Sequence, residues 1–89
     1  MAHSKSALKR IRQNEKRRSY NRMYRSRART FVKKARTAQA SGDLQTAEQA
    51  TLQALKELDR AASRGVIHWR NAARRKSRLM KQLNAVKAR

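Results

Sequence analysis

Two clusters of cationic side chains are the part of this sequence best suited to do chemistry. Residues 5–18 contain seven Lys and Arg residues and one acid, Glu15. Residues 74–78 contain four cations in five positions, together with Ser77. Guanidinium groups present fork-shaped donors that match phosphate oxygens, and seryl hydroxyls add contacts to phosphate or sugar. These residue types predict binding of a polyanion, with no covalent step.

The charge of the whole chain points the same way, and it is segregated along the sequence. The net charge is +20 on 89 residues: residues 1–37 carry +13, residues 38–63 carry −2 and residues 64–89 carry +9. Like charge at this density opposes a compact fold unless a polyanion neutralises it. We therefore expect a nucleic acid as the partner.

Catalytic and metal-binding functions find little support in the composition. Without Cys, the chain has no thiolate zinc site and no thiol catalysis. His68 has no partner at ligand spacing, and we interpret it as a helix cap or a phosphate contact. The four acids between residues 38 and 63 are interpreted as a face turned away from the polyanion rather than as an acid–base pair. We expect no catalytic residue, cofactor, metal or small-molecule substrate, and therefore no enzyme.

Membrane and targeting segments are also disfavoured. No apolar run approaches the length of a membrane span, and the N-terminus lacks the apolar stretch of a secretory signal. Its Arg- and Ser-rich, acid-poor composition matches that of a mitochondrial presequence, but the same chemistry returns near the C-terminus, where no presequence occurs. A basic amphipathic helix on a membrane surface would need a continuous apolar face, which residues 1–19 lack.

The two glycines divide the chain into helices. Gly42 and Gly65 are of the residue type favoured just past a helix C-terminus, and Asp43 is a good N-cap for a second helix. Apolar residues recur with a period of 3.6 residues, and no segment alternates with a period of two. The prediction is an all-α single domain over residues 1–89, a three-helix bundle with helices at about 5–41, 44–63 and 68–87.

The periodic positions predict a core made largely of small residues. It consists of Tyr20, Tyr24, Ala28, Phe31, Ala35 and Ala38 in the first helix, Leu44, Ala47, Thr51, Ala54, Leu55, Leu58 and Ala62 in the second, and Ala72, Ala73, Lys76, Leu79, Met80, Leu83 and Val86 in the third. We assign the two tyrosines to this core in preference to base stacking, and Met23 and Met80 to gaps in it. For Trp69, core packing and base stacking are equally open.

The first helix is too long for its partners. At 1.5 Å per residue it spans about 55 Å and the second about 30 Å, so the shorter helices cover only its second half. Residues 1–19 are therefore predicted to extend the first helix beyond the bundle as a projecting basic arm. Cations four residues apart repel each other by a few tenths of a kcal/mol per pair, and we expect this arm to fray until phosphates neutralise it.

The predicted contacts with nucleic acid are cationic, amide and hydroxyl side chains of the first and third helices. They are Lys5, Ser6, Lys9, Arg10, Arg12, Gln13, Asn14, Lys16, Arg17, Arg18, Arg22, Arg25 and Arg29 in the first, and His68, Asn71, Arg74, Arg75, Lys76, Ser77 and Arg78 in the third. Cations on all sides of the arm suit a segment embedded among several phosphate backbones. The alternatives are a solvated charged face, a localisation signal, and a histone-type protein that packages DNA through its backbone.

Several segments resemble the bacterial small-subunit ribosomal proteins of the S-twenty family. The matching stretches cover nearly the whole chain in order: KSALKR at 5–10, RQNEKRR at 12–18, GDL at 42–44, DRAASRGVIH at 59–68 and AARRKSRL at 72–79. The resemblance implies a three-helix bundle with a long first helix and direct, early binding to 16S ribosomal RNA. It also implies that the protein bridges the 5′ domain of that RNA and the long penultimate helix near its 3′ end.

The same resemblance implies a monomer within the small subunit of a cytoplasmic ribosome, or of an organellar one. The chain departs from the family after His68, where the family usually has Lys-Asn and this sequence has Trp69-Arg70-Asn71. From this departure we predict that the third helix starts late, with Asn71 as its cap.

Overall fold

The computed structural model describes residues 4–88, which form three α-helices with short connections. Helix α1 runs Lys5–Ser41, α2 runs Leu44–Ser63 and α3 runs Trp69–Lys87. No strand is present in residues 4–88. The all-α prediction is confirmed, and the predicted helix bounds hold except that α3 begins one residue later. What was predicted for residues 1–3 and 89 lies outside the described residues.

A side-chain cap and a left-handed glycine set the two ends of α1. Ser4 has an extended backbone, and its Oγ accepts the N–H of Ala7 at 3.2 Å, which satisfies one of the free donors at the helix start. Gly42 has φ 81°, in the left-handed region that glycine enters without strain. Asp43 follows at the N-cap position of α2, where the hydroxyl of Thr46 donates to Oδ2 at 2.7 Å. This hydrogen bond lowers the pKa of Asp43 below its usual value.

The connection from α2 to α3 is a Schellman turn. Gly65 has φ 71°, and its N–H donates to the carbonyl of Ala62 at 3.0 Å. The N–H of Val66 donates to the carbonyl of Ala61 at 2.9 Å, and the side chains of both residues are buried in the core. The turn therefore anchors the chain in the core just before it enters α3.

His68 is the N-cap of α3. Its Nδ1 accepts the backbone N–H of Arg70 at 3.1 Å, which confirms its interpretation as a cap. The prediction that Asn71 caps a later start is wrong. Asn71 lies in the first turn of α3, and its Oδ1 accepts from Nη2 of Arg74 and Nε of Arg75, both at 3.1 Å. Because the imidazole already caps the helix, the amide is left to bind side chains.

Alanines make up half of the core cluster. Its buried residues are Ala28, Val32 and Ala35 of α1, Ala54, Leu58 and Ala61 of α2, Val66 of the turn and Leu79 of α3. Tyr24, Phe31, Ala50 and Ile67 pack against it while partly exposed. Small side chains let helix backbones approach closely, so this thin set of apolar residues fills the space between three helices.

Several residues predicted for the core lie at the surface instead. Tyr20, Met23, Leu44 and Met80 have 41%, 51%, 41% and 37% of their surfaces accessible. Tyr20 and Met23 precede Ala28, the first buried residue of α1. At that point the helix has too few neighbours to cover a large side chain.

A buried amide joins the three helices, and the periodic pattern did not indicate it. Gln39 of α1 is 5% accessible, and its Nε2 donates to Oγ1 of Thr51 on α2 at 3.0 Å and to the carbonyl of Leu79 on α3 at 3.3 Å. A buried amide is costly unless it is hydrogen-bonded. The network therefore favours the one arrangement of helices in which both bonds form.

Replacing Gln39 by Met is expected to lower the free energy of unfolding by about 1–2 kcal/mol, because a side chain of similar length loses both hydrogen bonds. Urea unfolding followed by circular dichroism measures the change. Gln49→Met, at an exposed position of α2, is the matched control and should alter stability by less than about 0.5 kcal/mol. A Gln39→Met protein as stable as the original chain would contradict a stabilising role for the network.

The first part of α1 extends beyond the bundle. The described structure measures 63 × 21 × 16 Å along its principal axes. Every side chain of residues 4–19 is exposed except that of Ala7, which is half-buried. The predicted projection of the first helix is confirmed, because α2 and α3 cover only its later part.

Candidate nucleic-acid interface

The described part of the arm, residues 4–19, presents cations that no acid of the bundle neutralises. All seven of its Lys and Arg side chains are exposed, and within residues 4–88 none of them forms an ion pair. Ser6, Gln13 and Asn14, predicted as contacts, are exposed among these cations. Free cations with polar neighbours supply the charge and the hydrogen bonds that phosphate and sugar oxygens accept.

A groove along α1, termed the α1 groove, connects the arm to the bundle. It is lined by Asn14, Arg17, Arg18, Asn21, Arg22, Arg25, Ser26 and Arg29. Six of these residues were predicted as contacts, and Asn21 and Ser26 were missed. Asn21 lies three residues after Arg18 and Ser26 lies four after Arg22, a spacing that puts each pair on one helix face. That spacing was the signal that could have found them.

An open cleft of about 400 Å³, termed the interhelical cleft, joins α1 to α3 beside the Schellman turn. Its polar lining comes from Arg25, Arg29, His68, Asn71 and Arg75, and its apolar lining from Ala28, Leu58, Val66 and Ile67. The five polar residues were predicted from separate stretches of sequence. The fold brings them to one place, with cations from both helices over an apolar floor.

The cationic block of α3 is exposed and partly held in place. Arg74, Arg75, Ser77 and Arg78 all lie at the surface. The Oδ1 atom of Asn71 accepts a hydrogen bond from each of the first two arginines. An amide positions guanidinium groups without cancelling their charge, and positioned side chains lose less entropy when they bind an anion.

Lys76 differs from the rest of this block. Its Nζ lies 2.6 Å from Oδ1 of Asp59 on α2, and its side chain is only 35% accessible. The charge therefore serves the contact between α2 and α3. Among the predicted contacts on α3, Lys76 has the least support from the structure.

The interpretation of the four acids as a face turned away from the polyanion is wrong for Glu57, whereas Asp43 and Asp59 lie at the surface. Glu57 is buried, with Nε of Arg27 at 2.9 Å from Oε2 and Nη1 of Arg60 at 3.4 Å from Oε1. Glu48 of α2 pairs with Lys87 of α3 at 3.2 Å. A buried carboxylate persists only when it is paired, and these acids lie between cationic helices that would otherwise repel each other. Three acids of α2, Glu48, Glu57 and Asp59, therefore join α2 to its neighbouring helices.

Two tyrosines and an arginine form a cluster at the base of the arm. The rings of Tyr20 and Tyr24 lie 4.8 Å apart at an angle of 60°. The guanidinium of Arg64 lies 4.8 Å from the centroid of the Tyr24 ring, and its Nη1 donates to the hydroxyl of Tyr20. Donation from that hydroxyl to Tyr24 raises the pKa of Tyr20 above its usual value. The cluster ties α1 to the end of α2, so these rings contact protein rather than standing free.

Trp69 lies at the surface, at the first position of α3, with 63% of its area accessible. The centroid of its ring is 5.6 Å from that of His68, with 28° between the ring planes. The guanidinium of Arg70 lies 5.2 Å from the indole. Of the two alternatives that the sequence left open for Trp69, core packing is excluded.

Within the described part of the chain, no helix combines the length and the apolar character needed to cross a membrane. Nor do residues 4–88 bring together three or more His, Cys, Asp or Glu side chains that could hold a metal ion.

Comparison with known sequences identifies the family. A family profile described as ribosomal protein S20 matches residues 2–84. The chain belongs to the ribosomal protein S20 family. It is therefore a structural ribosomal protein and not an enzyme, and the resemblance drawn from its motifs is confirmed.

Relatives of the family match along nearly the whole chain. The small ribosomal subunit protein bS20 of Thermomicrobium roseum is 57% identical over 90 residues, which cover 100% of this chain and 91% of that protein. The bS20 protein of Shouchella clausii is 49% identical over 88 residues, covering 99% of this chain and all of that protein. That of Geobacter sulfurreducens is 50% identical over 86 residues, covering 97% and 99%. The similarity extends over both the arm and the bundle.

Proposed function

We propose that this chain is a structural constituent of the small ribosomal subunit that binds 16S rRNA directly, through phosphate contacts from α1 and α3. The observation that carries the proposal is the interhelical cleft, where arginines of both helices line one surface. The relatives are named as small ribosomal subunit proteins, and membership of their family supports the same place for this chain. As a component of the small ribosomal subunit, the protein would be a monomer in the bacterial cytoplasm.

On either side of the interhelical cleft lie two cationic surfaces, the α1 groove and the exposed arginines of α3 (Arg74, Arg75 and Arg78), which suit different segments of RNA. The α1 groove runs away from the bundle along the arm, whereas the cations of α3 lie on a helix that packs mainly against α2. We propose that α1 and α3 hold the 5′ domain of 16S rRNA and the long penultimate helix near its 3′ end together during subunit assembly. Helix α2 supports both surfaces, since its acids pair with cations of α1 and α3.

Neutralising three arginines of either surface is expected to abolish bridging and to lower affinity for one rRNA segment at least tenfold, by about 1.4 kcal/mol or more. The two variants change Arg17, Arg18 and Arg22 to Gln, or Arg74, Arg75 and Arg78 to Gln. The assay immobilises a 5′-domain fragment and measures retention of a labelled fragment that contains the penultimate helix. The full chain should retain the second fragment on the first.

The matched control removes the same charge elsewhere. Lys33, Arg36 and Lys81 are exposed cations outside both surfaces, and changing all three to Gln should reduce affinity by no more than about threefold, because only screened, long-range attraction is lost. Equal loss in the control and in the two test variants would contradict the assignment of these surfaces. Equal affinity for duplex DNA of the same length would favour packaging of DNA instead.

A further inference from the structure

Trp69 is the most exposed large apolar side chain among residues 4–88, and it is the single tryptophan of the chain. An indole can bury about 150–250 Å² of surface, so leaving it in water forgoes a large stabilising contribution. The contacts that the structure gives to this ring are with its neighbours, His68 and Arg70. Most of the indole is available to a partner.

The indole has two neighbours that favour its present orientation. The imidazole of His68 is fixed by its hydrogen bond from the N–H of Arg70, and the indole stacks against that imidazole. Trp69 itself is part of α3, whose backbone is regular from this residue onward. A ring that is already ordered loses little entropy when a flat group stacks on it.

The surroundings of the indole are cationic. His68 also lines the interhelical cleft, together with Arg25, Arg29 and Arg75. Trp69 does not itself line the cleft, but its indole lies against the imidazole of His68, which does. A nucleotide next to one whose phosphate the cleft holds can therefore reach the indole past His68. Bases stack on aromatic side chains whatever their identity, because every base has a π-face.

The chemistry around Trp69 selects the kind of partner. Trp and Arg are both enriched in protein interfaces, so the charge of the surroundings, rather than the indole itself, selects the partner. Here the residues on both sides are His68 and Arg70. The lining of the cleft beside His68 contains three arginines and no acid, together with its apolar residues, and this favours an anionic partner. We infer that Trp69 stacks on an unpaired nucleobase of the RNA whose phosphates the interhelical cleft holds. This inference rests on the proposed function and adds a base contact to its phosphate contacts.

Tryptophan emission tests the inference in the intact protein, because all of it comes from Trp69. The full chain is titrated with a 16S rRNA fragment that contains unpaired nucleotides and, separately, with a fully paired RNA duplex of equal length. Stacking predicts strong quenching by the first RNA and little quenching by the second at equal occupancy. Equal quenching by both RNAs would show that the contact does not require an unpaired base, and the inference would be wrong.

Substitutions distinguish stacking from charge. Trp69→Ala should weaken binding of the unpaired fragment about tenfold, and Trp69→Phe, which keeps an aromatic face, by no more than about threefold. Trp69→Lys adds a cation: stacking predicts weaker binding, whereas a purely electrostatic site predicts tighter binding and would overturn the inference. Leu52→Ala, at a residue of α2 that is 57% accessible, should leave affinity unchanged.

Circular dichroism of each variant verifies that the helices remain intact before affinities are compared. If the full chain binds 16S rRNA with unchanged emission, and Trp69→Ala binds equally well, the inference is wrong and the proposed function stands. If the full chain does not bind 16S rRNA, both are wrong. Quenching together with the loss in Trp69→Ala supports the stacking contact.

Discussion

Removing residues 1–18 is expected to lower the affinity for 16S rRNA by about three orders of magnitude at physiological salt, while the bundle melts at nearly the same temperature. The truncation deletes seven cations that have no acidic partner in the described structure. Stability should change little, because the buried residues of α1 begin at Ala28. Ser19 is left at the new start of the helix, where its hydroxyl can cap it.

A salt series of binding constants and a thermal melt separate the two effects. Loss of seven phosphate contacts should make the slope of log affinity against log salt less steep by about five or six. The matched control keeps the full length and changes the seven cations to Gln, and it should lose affinity to a similar extent. Collapse of the melting transition in the truncated chain would contradict the independence of the bundle from the arm. Unchanged affinity would contradict the role of the arm in binding.

Replacing Leu58 by Ala is expected to lower the free energy of unfolding by about 3 kcal/mol, within the range of 2–5 kcal/mol found for buried leucines. Leu58 has no accessible surface and lies in the core cluster with Leu79. A domain of this size has a thin core and a small net stability, further reduced by repulsion among its cations. We therefore expect the variant to be largely unfolded at low salt.

Leu52→Ala is the matched control, since Leu52 lies on the same helix with 57% of its surface accessible. It should change stability by less than about 0.5 kcal/mol. Urea unfolding at several salt concentrations measures both variants, and added salt should restore part of the helicity of Leu58→Ala by screening the cations. Equal destabilisation by the two substitutions would contradict the core described here.

The helices could be predicted because their signals are local. Gly42 and Gly65 stand where the chain needs a left-handed residue, and the apolar period continues between them. The long first helix followed from the same signals, and so did its projection, because lengths alone show that α2 and α3 are too short to cover it. Tyr20 fits the apolar period yet is exposed. Periodicity shows which face of a helix is apolar, but it does not show whether another helix packs against that face.

Features that depend on how helices meet could not be predicted. Gln39 is an ordinary polar residue until Thr51 and Leu79 are brought beside it. Glu57 could be a solvated acid by its sequence, and both its burial and its ion pair with Arg27 arise only when α1 packs against α2. The spacing of apolar residues within one helix does not show how that helix crosses its neighbours. It therefore cannot predict contacts between side chains of different helices.

The candidate interface also has a part that the sequence predicts and a part that depends on how the helices pack. Residue type alone pointed to the cations of the first and third helices as contacts for a polyanion. Their meeting in one cleft depends on the Schellman turn at Gly65, which determines where α3 starts relative to Arg25 and Arg29. The position of Lys76 against Asp59 could not be predicted either, because a lysine within a basic block looks like its neighbours until α2 is in place.

The alanine core has a consequence for the spacing of the two cationic surfaces. Ala35 of α1 and Ala47, Ala54 and Ala61 of α2 have no accessible surface. Packed helices lie about 8–10 Å apart depending on the side chains between them, and a larger residue forced into a full core costs about 1–3 kcal/mol. The alanines therefore keep α1 and α2 at one short separation. That separation sets the distance between the cationic surfaces, and hence the distance at which two RNA strands could be held side by side.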